Sequence, residues 1–167
     1  MKKYVALSLC FFTLIFCCSC SQRKEVGCFD ILCELIVYSK GEIEDEECLY
    51  TSAAEEGEIG YFSLKTRQTL FGEKRVEECF PMIEDCAVFV SARDIEEIGV
   101  FKCYSRSDTD SVAAMCLERG DILSVAINSI NYKNGSKKAH IEIHGKYVLY
   151  SFMDRSEAIS EYFCKLI

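Results

Sequence analysis

Cys86-Ala-Val-Phe-Val-Ser-Ala-Arg-Asp-Ile-Glu-Glu-Ile-Gly-Val-Phe-Lys-Cys-Tyr104 is the stretch that decides how this chain folds. Residues 86–92 put apolar side chains at successive positions, so both faces of a strand here are greasy. Residues 98–104 repeat the pattern, and Arg93-Asp94-Ile95-Glu96 between them is polar enough to turn. Two short apolar runs separated by a few turn-forming residues predict an antiparallel hairpin.

Downstream, the hydrophobic period lengthens from two to about 3.6. Val112, Cys116, Leu123, Ala126 and Ile130 predict a helix over 107–130, capped by Ser107 or Asp108. Gly120 inside it costs about 1 kcal/mol against alanine and marks a possible break. Ala139–His144 and Tyr147–Phe152 then alternate again as a second hairpin across Gly145-Lys146. Asp154, with Glu157 three residues later, reads as a capping box for a last helix over 154–166, buried along Ile159, Tyr162, Phe163 and Leu166.

Upstream, Phe29, Leu32, Cys33 and Ile36 stand at i, i+3, i+4, i+7 and predict a helix over 27–39. Residues 41–58 read as an acidic, variable connection, with the acids of Glu42–Glu47 exposed because a cluster of carboxylates cannot be buried without cations. Residues 48–80 carry a weaker signal: a short strand at Tyr61–Leu64 and a short helix from Lys74 to Phe80. The expected fold class is therefore α+β. Its antiparallel sheet is built from two β-hairpins in the order ββαββα, with helices packed on one face and an N-terminal helix in front.

The first twenty residues, MKKYVALSLCFFTLIFCCSC, follow a different logic. Lys2 and Lys3 precede an uninterrupted apolar run from Tyr4 to Phe16, and small residues close it before Cys20. That order is an export signal, and the run is short for a bilayer core that needs about 20 helical residues. The expected division is a lipoprotein signal peptide at 1–19, a short tether at 20–26 and one α+β domain at 27–167. Ser19 before Cys20 suits cleavage and lipidation at Cys20; Cys18, preceded by Cys17, fits less well. An uncleaved signal anchor, with Arg23 and Lys24 at its far end, and plain secretion are the alternatives.

The chain has a formal charge of −8, and removing residues 1–19 leaves 17 basic side chains against 27 acidic ones, a net −10. Such a surface repels phosphate backbones and disfavours nucleic-acid binding. Twelve cysteines are present, eight of them after Cys20. Cys33, Cys103, Cys116 and Cys164 fall on apolar stripes, where a thiol behaves as a small hydrophobe, so mostly reduced, buried thiols are expected. The part after Cys20 has no CxxC, and the chain has no GxSxG, GxGxxG, P-loop or HExxH.

Among candidate sites, His140, Glu142 and His144 share one strand face by period-two alternation. The two histidines would stand about 13 Å apart, too far to share one ion, so a solvated face is expected and no metal or cofactor is assigned. Glu97 and Arg119 are read as an ion pair between sheet and helix, structural or poised for an anionic ligand. No catalytic residue is assigned.

The run Glu97-Ile98-Gly99-Val100-Phe101-Lys102, with Val112, Arg119, Tyr132, Gly145-Lys146-Tyr147-Val148 and the Leu70-Phe71-Gly72 step, resembles a family of small lipoproteins with a domain of unknown function. That family is common in Gram-positive anaerobes such as Clostridia. The sequence departs from it at Lys133-Asn134-Gly135, where a proline-bearing turn would stand. The resemblance implies a diacylglycerol (palmitate-type) anchor and a place on the outer face of the cytoplasmic membrane of a Gram-positive bacterium. It implies no catalytic residues. The expected function is a membrane-anchored binding or interaction module for a protein partner or small ligand. An extracytoplasmic enzyme with a cysteine or Arg/Glu site, or a structural envelope component, is the alternative.

Overall fold

The computed structural model describes residues 25–41, 47–91, 93–129 and 137–167. Among the described residues, five α-helices and five strands follow one another as α1 (Cys28–Ser39), β1 (Glu47–Thr51), α2 (Leu64–Phe71), α3 (Glu73–Cys79), β2 (Ile83–Ser91), β3 (Glu96–Cys103), α4 (Thr109–Ser129), β4 (His140–His144), β5 (Tyr147–Phe152) and α5 (Ser156–Leu166). The strands form one antiparallel sheet in the order β1-β2-β3-β5-β4. The α+β class and the ββαββα order expected from residue 83 onward stand.

The expectation of helices on one face is corrected: they cover both. Every residue of β3 is buried, and so are Cys86, Ala87, Val88 and Phe89 of β2. A strand apolar on both faces must be dry on both. Cys86, Val88, Phe101, Val148 and Tyr150 join α2, α3 and α4 in one core, while Ala87, Phe89, Ile98, Val100 and Leu149 join α1 and α5 in the other. Gly99 serves the first core, since a Cβ there would lie 2.8 Å from the Phe101 ring.

Local predictions shift for identifiable reasons. The α1 stripe is rotated: Cys28, Ile31, Leu32, Leu35 and Ile36 are buried, whereas Phe29 is exposed and Cys33 half-buried. A 3-10 turn at Arg106–Asp108 takes in Ser107 and Asp108 and precedes α4, and Ser105 caps that turn by accepting from the Ser107 N–H. Gly120 does not break α4. It lets the helix approach β4, since a Cβ there would stand 2.1 Å from the Ala139 Cβ. Ile130 lies outside the described residues.

The Asp154–Glu157 capping box does not form. Asp154 pairs instead with Lys137 at 3.3 Å, and α5 begins after Arg155 in a left-handed conformation (φ 64°). Ser156 serves the turn in its place, donating to the Met153 carbonyl at 2.7 Å. The expected strand at Tyr61–Leu64 reduces to one bridge from Tyr61 to Thr51, and Leu64 opens α2, capped by Ser63 accepting from the Thr66 N–H. Within the acidic connection, Glu47–Thr51 is the edge strand β1; Glu42–Glu46 lie outside the described residues.

Candidate functional site

Glu97 and Arg119 do meet. The guanidinium of Arg119, on α4, donates from Nε to Glu97 Oε2 at 3.0 Å and from Nη2 to Oε1, a two-pronged contact onto β3. Tyr150, on the neighbouring strand β5, adds its hydroxyl to Oε2 at 3.3 Å. The Glu97 side chain is 2% exposed and that of Arg119 14%. Burial works against the Arg119 charge, but the hydrogen bond and attraction of Glu97 outweigh it and raise the arginine's pKa. Burial first, and the Glu97 charge second, push the Tyr150 phenol well above its ordinary value. The carboxylate therefore spends its acceptor capacity inside the protein. As a clamp for an external anion the arginine is already occupied.

The second ion cluster lies on the opposite face. The buried Lys102 ammonium donates to Glu84 Oε1 at 2.8 Å and to Glu25 Oε2 at 2.5 Å, tying the chain just before α1 to β2 and β3. The hydrogen bond to Lys102 holds Glu25 below the usual carboxylate range.

The expected face of β4 carries the three side chains but is not fully solvated, since His140 and Glu142 are half-buried beside α5. His140 Nε2 stands 4.0 Å from Glu142 Oε2, and the Ser160 hydroxyl of α5 donates to that same oxygen at 2.9 Å. His144 is exposed at the strand's end. Among the described residues no cluster of three His, Cys, Asp or Glu side chains is placed to hold a metal ion.

All eight thiols after Cys20 are free; Cys28, Cys79, Cys86, Cys103 and Cys116 are buried. Burial pushes the Cys86 and Cys103 thiols up to about 11 and that of Cys116 well above its ordinary value. A thiol held protonated at neutral pH is a poor nucleophile. Cys48 is the exposed one.

Cys48 also borders a groove of about 380 Å³ between the sheet's β1 edge and α2. Its floor is Tyr50 and Val90 with Leu70, and its wall is Thr66 and Thr69, with Lys65 contributing a cation. A hydrogen bond with Cys48, with burial behind it, raises the Tyr50 phenol's pKa. Loop 52–62 braces the strand: Thr51 N–H donates to the Gly60 carbonyl at 2.8 Å, and Phe62 N–H to the Thr51 carbonyl at 3.3 Å. Gly60 suits this place because its φ is +84° and a Cβ would lie 2.9 Å from the Leu49 carbonyl oxygen.

Sequence reasoning missed this groove. Cys48 and Tyr50 stand two apart and Thr66, Thr69 and Leu70 at i, i+3, i+4, but the apolar Leu49 and the polar threonines keep either spacing from reading as a stripe. The proposed anchor Cys20, and Cys18 beside it, lie outside the described residues. Among those described, no helix is long and apolar enough to cross a membrane. Comparison with protein-family models, curated proteins and solved structures finds no match.

Proposed function

We propose that this chain is a lipid-anchored extracytoplasmic binding module, held by Cys20 and recognising an apolar ligand, or an apolar segment of a partner, in the groove between β1 and α2. The groove carries the reading. It is concave and apolar, with one cation nearby, which is the composition of a recognition surface more than of a reaction centre. The export signal ending at Cys20 and the resemblance to small clostridial-type lipoproteins support the location, on the outer face of a Gram-positive cytoplasmic membrane. An acidic domain has no other affinity for that surface, and a diacylglycerol supplies the two chains that stable attachment needs.

The rival enzyme reading draws less support. The buried thiols are held protonated, and the Glu97 and Arg119 charges saturate each other.

The groove is tested with a photoactivatable twelve-carbon alkyl probe applied to membranes carrying the full chain. Peptide mapping should place adducts on β1 and α2, and Thr69→Phe, an exposed position whose enlargement fills the groove, should remove them. Adducts elsewhere, or labelling unchanged by the substitution, defeats the reading.

A further inference from the structure

At the end of the sheet away from the groove lies β4, and its sequence, His140-Ile141-Glu142-Ile143-His144, reads the same in both directions. One of its edges is taken by β5. The two-residue turn Gly145-Lys146 makes His144 and Tyr147 the first pair of the ladder, so residues 140, 142 and 144 direct their backbone groups at β5. The bond from Cys103 N–H to the Lys146 carbonyl, on the other side of β5, fixes the same phase. Ile141 and Ile143 therefore direct their N–H and C=O groups outward, and no described residue pairs with them.

We propose that this edge pairs antiparallel with β4 of a second copy of the chain, about a two-fold axis at Glu142. The palindrome is what selects the occupant. A two-fold contact sets the same surface against itself, and here each side chain meets one of its own kind. Ile141 lies opposite Ile143 of the second copy, in a pair that exchanges both backbone bonds. His140 lies opposite His144 of the second copy, and Glu142 opposite its own equivalent.

The flanks agree. On the α4 side, Ile143 is 38% and Leu117 49% exposed. Leu117 shares the helix flank of Gly120, which meets Ala139, and of Ser124, whose hydroxyl donates to the Lys137 carbonyl at 3.2 Å. The axis gathers these apolar side chains into one strip. On the α5 side, two Glu142 carboxylates face each other in the close, non-hydrogen-bonded kind of pair, which weakens the contact. The association is thus reversible, and the carboxylate keeps the edge from pairing indiscriminately. The chain's net charge of −8 adds repulsion that salt screens.

Disulfide trapping tests the register. Residues opposite in such a pair have Cα atoms about 4.5 Å apart, inside the roughly 4.4–6.8 Å that a disulfide spans. Glu142→Cys in the full chain, in mild detergent with diamide, should give covalent dimer at least tenfold above His144→Cys, whose equivalents stand about 13 Å apart. Wild type sets the background from Cys48. Equal yields, no dimer, or trapping of some other protein overturns the proposal. Amide exchange in the full-length wild type is the second measurement, independent of how the cysteine variant folds. Exchange at Ile141 and Ile143 should slow as concentration rises, and more so in Glu142→Gln. Concentration-independent exchange at both overturns it.

Discussion

Replacing Arg119 by methionine removes the charge and every side-chain donor while keeping an unbranched side chain of similar reach. The substitution leaves Glu97 at 2% exposure with, among the described residues, only the Tyr150 hydroxyl as hydrogen-bond partner. Breaking a buried pair from one side costs about 3–5 kcal/mol, because the abandoned charge stays out of water. The reverse truncation should be milder. Glu97→Gln keeps an acceptor for Tyr150, and Arg119, at 14% exposure, is nearer solvent. A loss of roughly 1.5–3 kcal/mol, that of a hydrogen bond to a charged group, is expected. The double variant Glu97→Gln/Arg119→Met should then be more stable than Arg119→Met alone, since the stranded charge is gone. Urea unfolding of the four proteins, followed by far-UV circular dichroism because the chain has no tryptophan, gives the cycle directly. Additive losses, or a loss below about 1 kcal/mol for Arg119→Met, would refute the claim that these groups satisfy each other in the dry layer between sheet and helix.

Four further outcomes are expected, three from the structure and the last from the sequence. Gly120→Ala should lower stability by about 1–2 kcal/mol despite the helix-propensity gain, because its Cβ meets that of Ala139, and Ala139→Gly should restore it; thermal melts of the two singles and the double decide. Site-resolved alkylation at pH 8 should modify Cys48 first and Cys28 and Cys116 last. Because burial raises the folded-state thiol values, urea midpoints should hold below pH 9, the ordinary thiol value, and fall as pH climbs through about 11, where Cys86 and Cys103 titrate in the fold. Cys20→Ala should abolish detergent-phase partitioning of the exported protein; persistence would move the anchor to Cys18.

How much of this was legible depends on how hard each element is pressed by the core. β2 and β3 sit centrally, so their apolar runs survive in any reading. The alternation of Cys86 and Val88 with Ala87 and Phe89 already contained the need for cover on both faces, although one layer of helix was expected. In α1 two stripes compete with nearly equal periodicity. The one that includes Phe29 lost to the one that sets Ile31 and Leu35 in a common core with Ala87, Phe89 and Ile98 of the strands. Propensity and period name a helix; only the opposing surface chooses its face.

The groove is the extreme of that rule. β1 is five residues long, has β2 on one side, and follows directly on an acidic run. Cys48, Leu49 and Tyr50 are apolar on both faces without being buried on both, so alternation gives no inward direction. α2 has eight residues, and of them only Leu70 and Phe71 are buried, too few to print a stripe. A concavity forms where a strand edge and a short helix fail to close against each other. The incomplete burial that opens it is also what removes the periodic signal from the sequence. The ion pair behaves in the opposite way: Glu97 lies in a strand buried at every position, and a charge set in an apolar run announces that a partner must exist. A sequence of this kind therefore reveals the polar groups its core has to satisfy, and conceals the surface it leaves open for something else to fill.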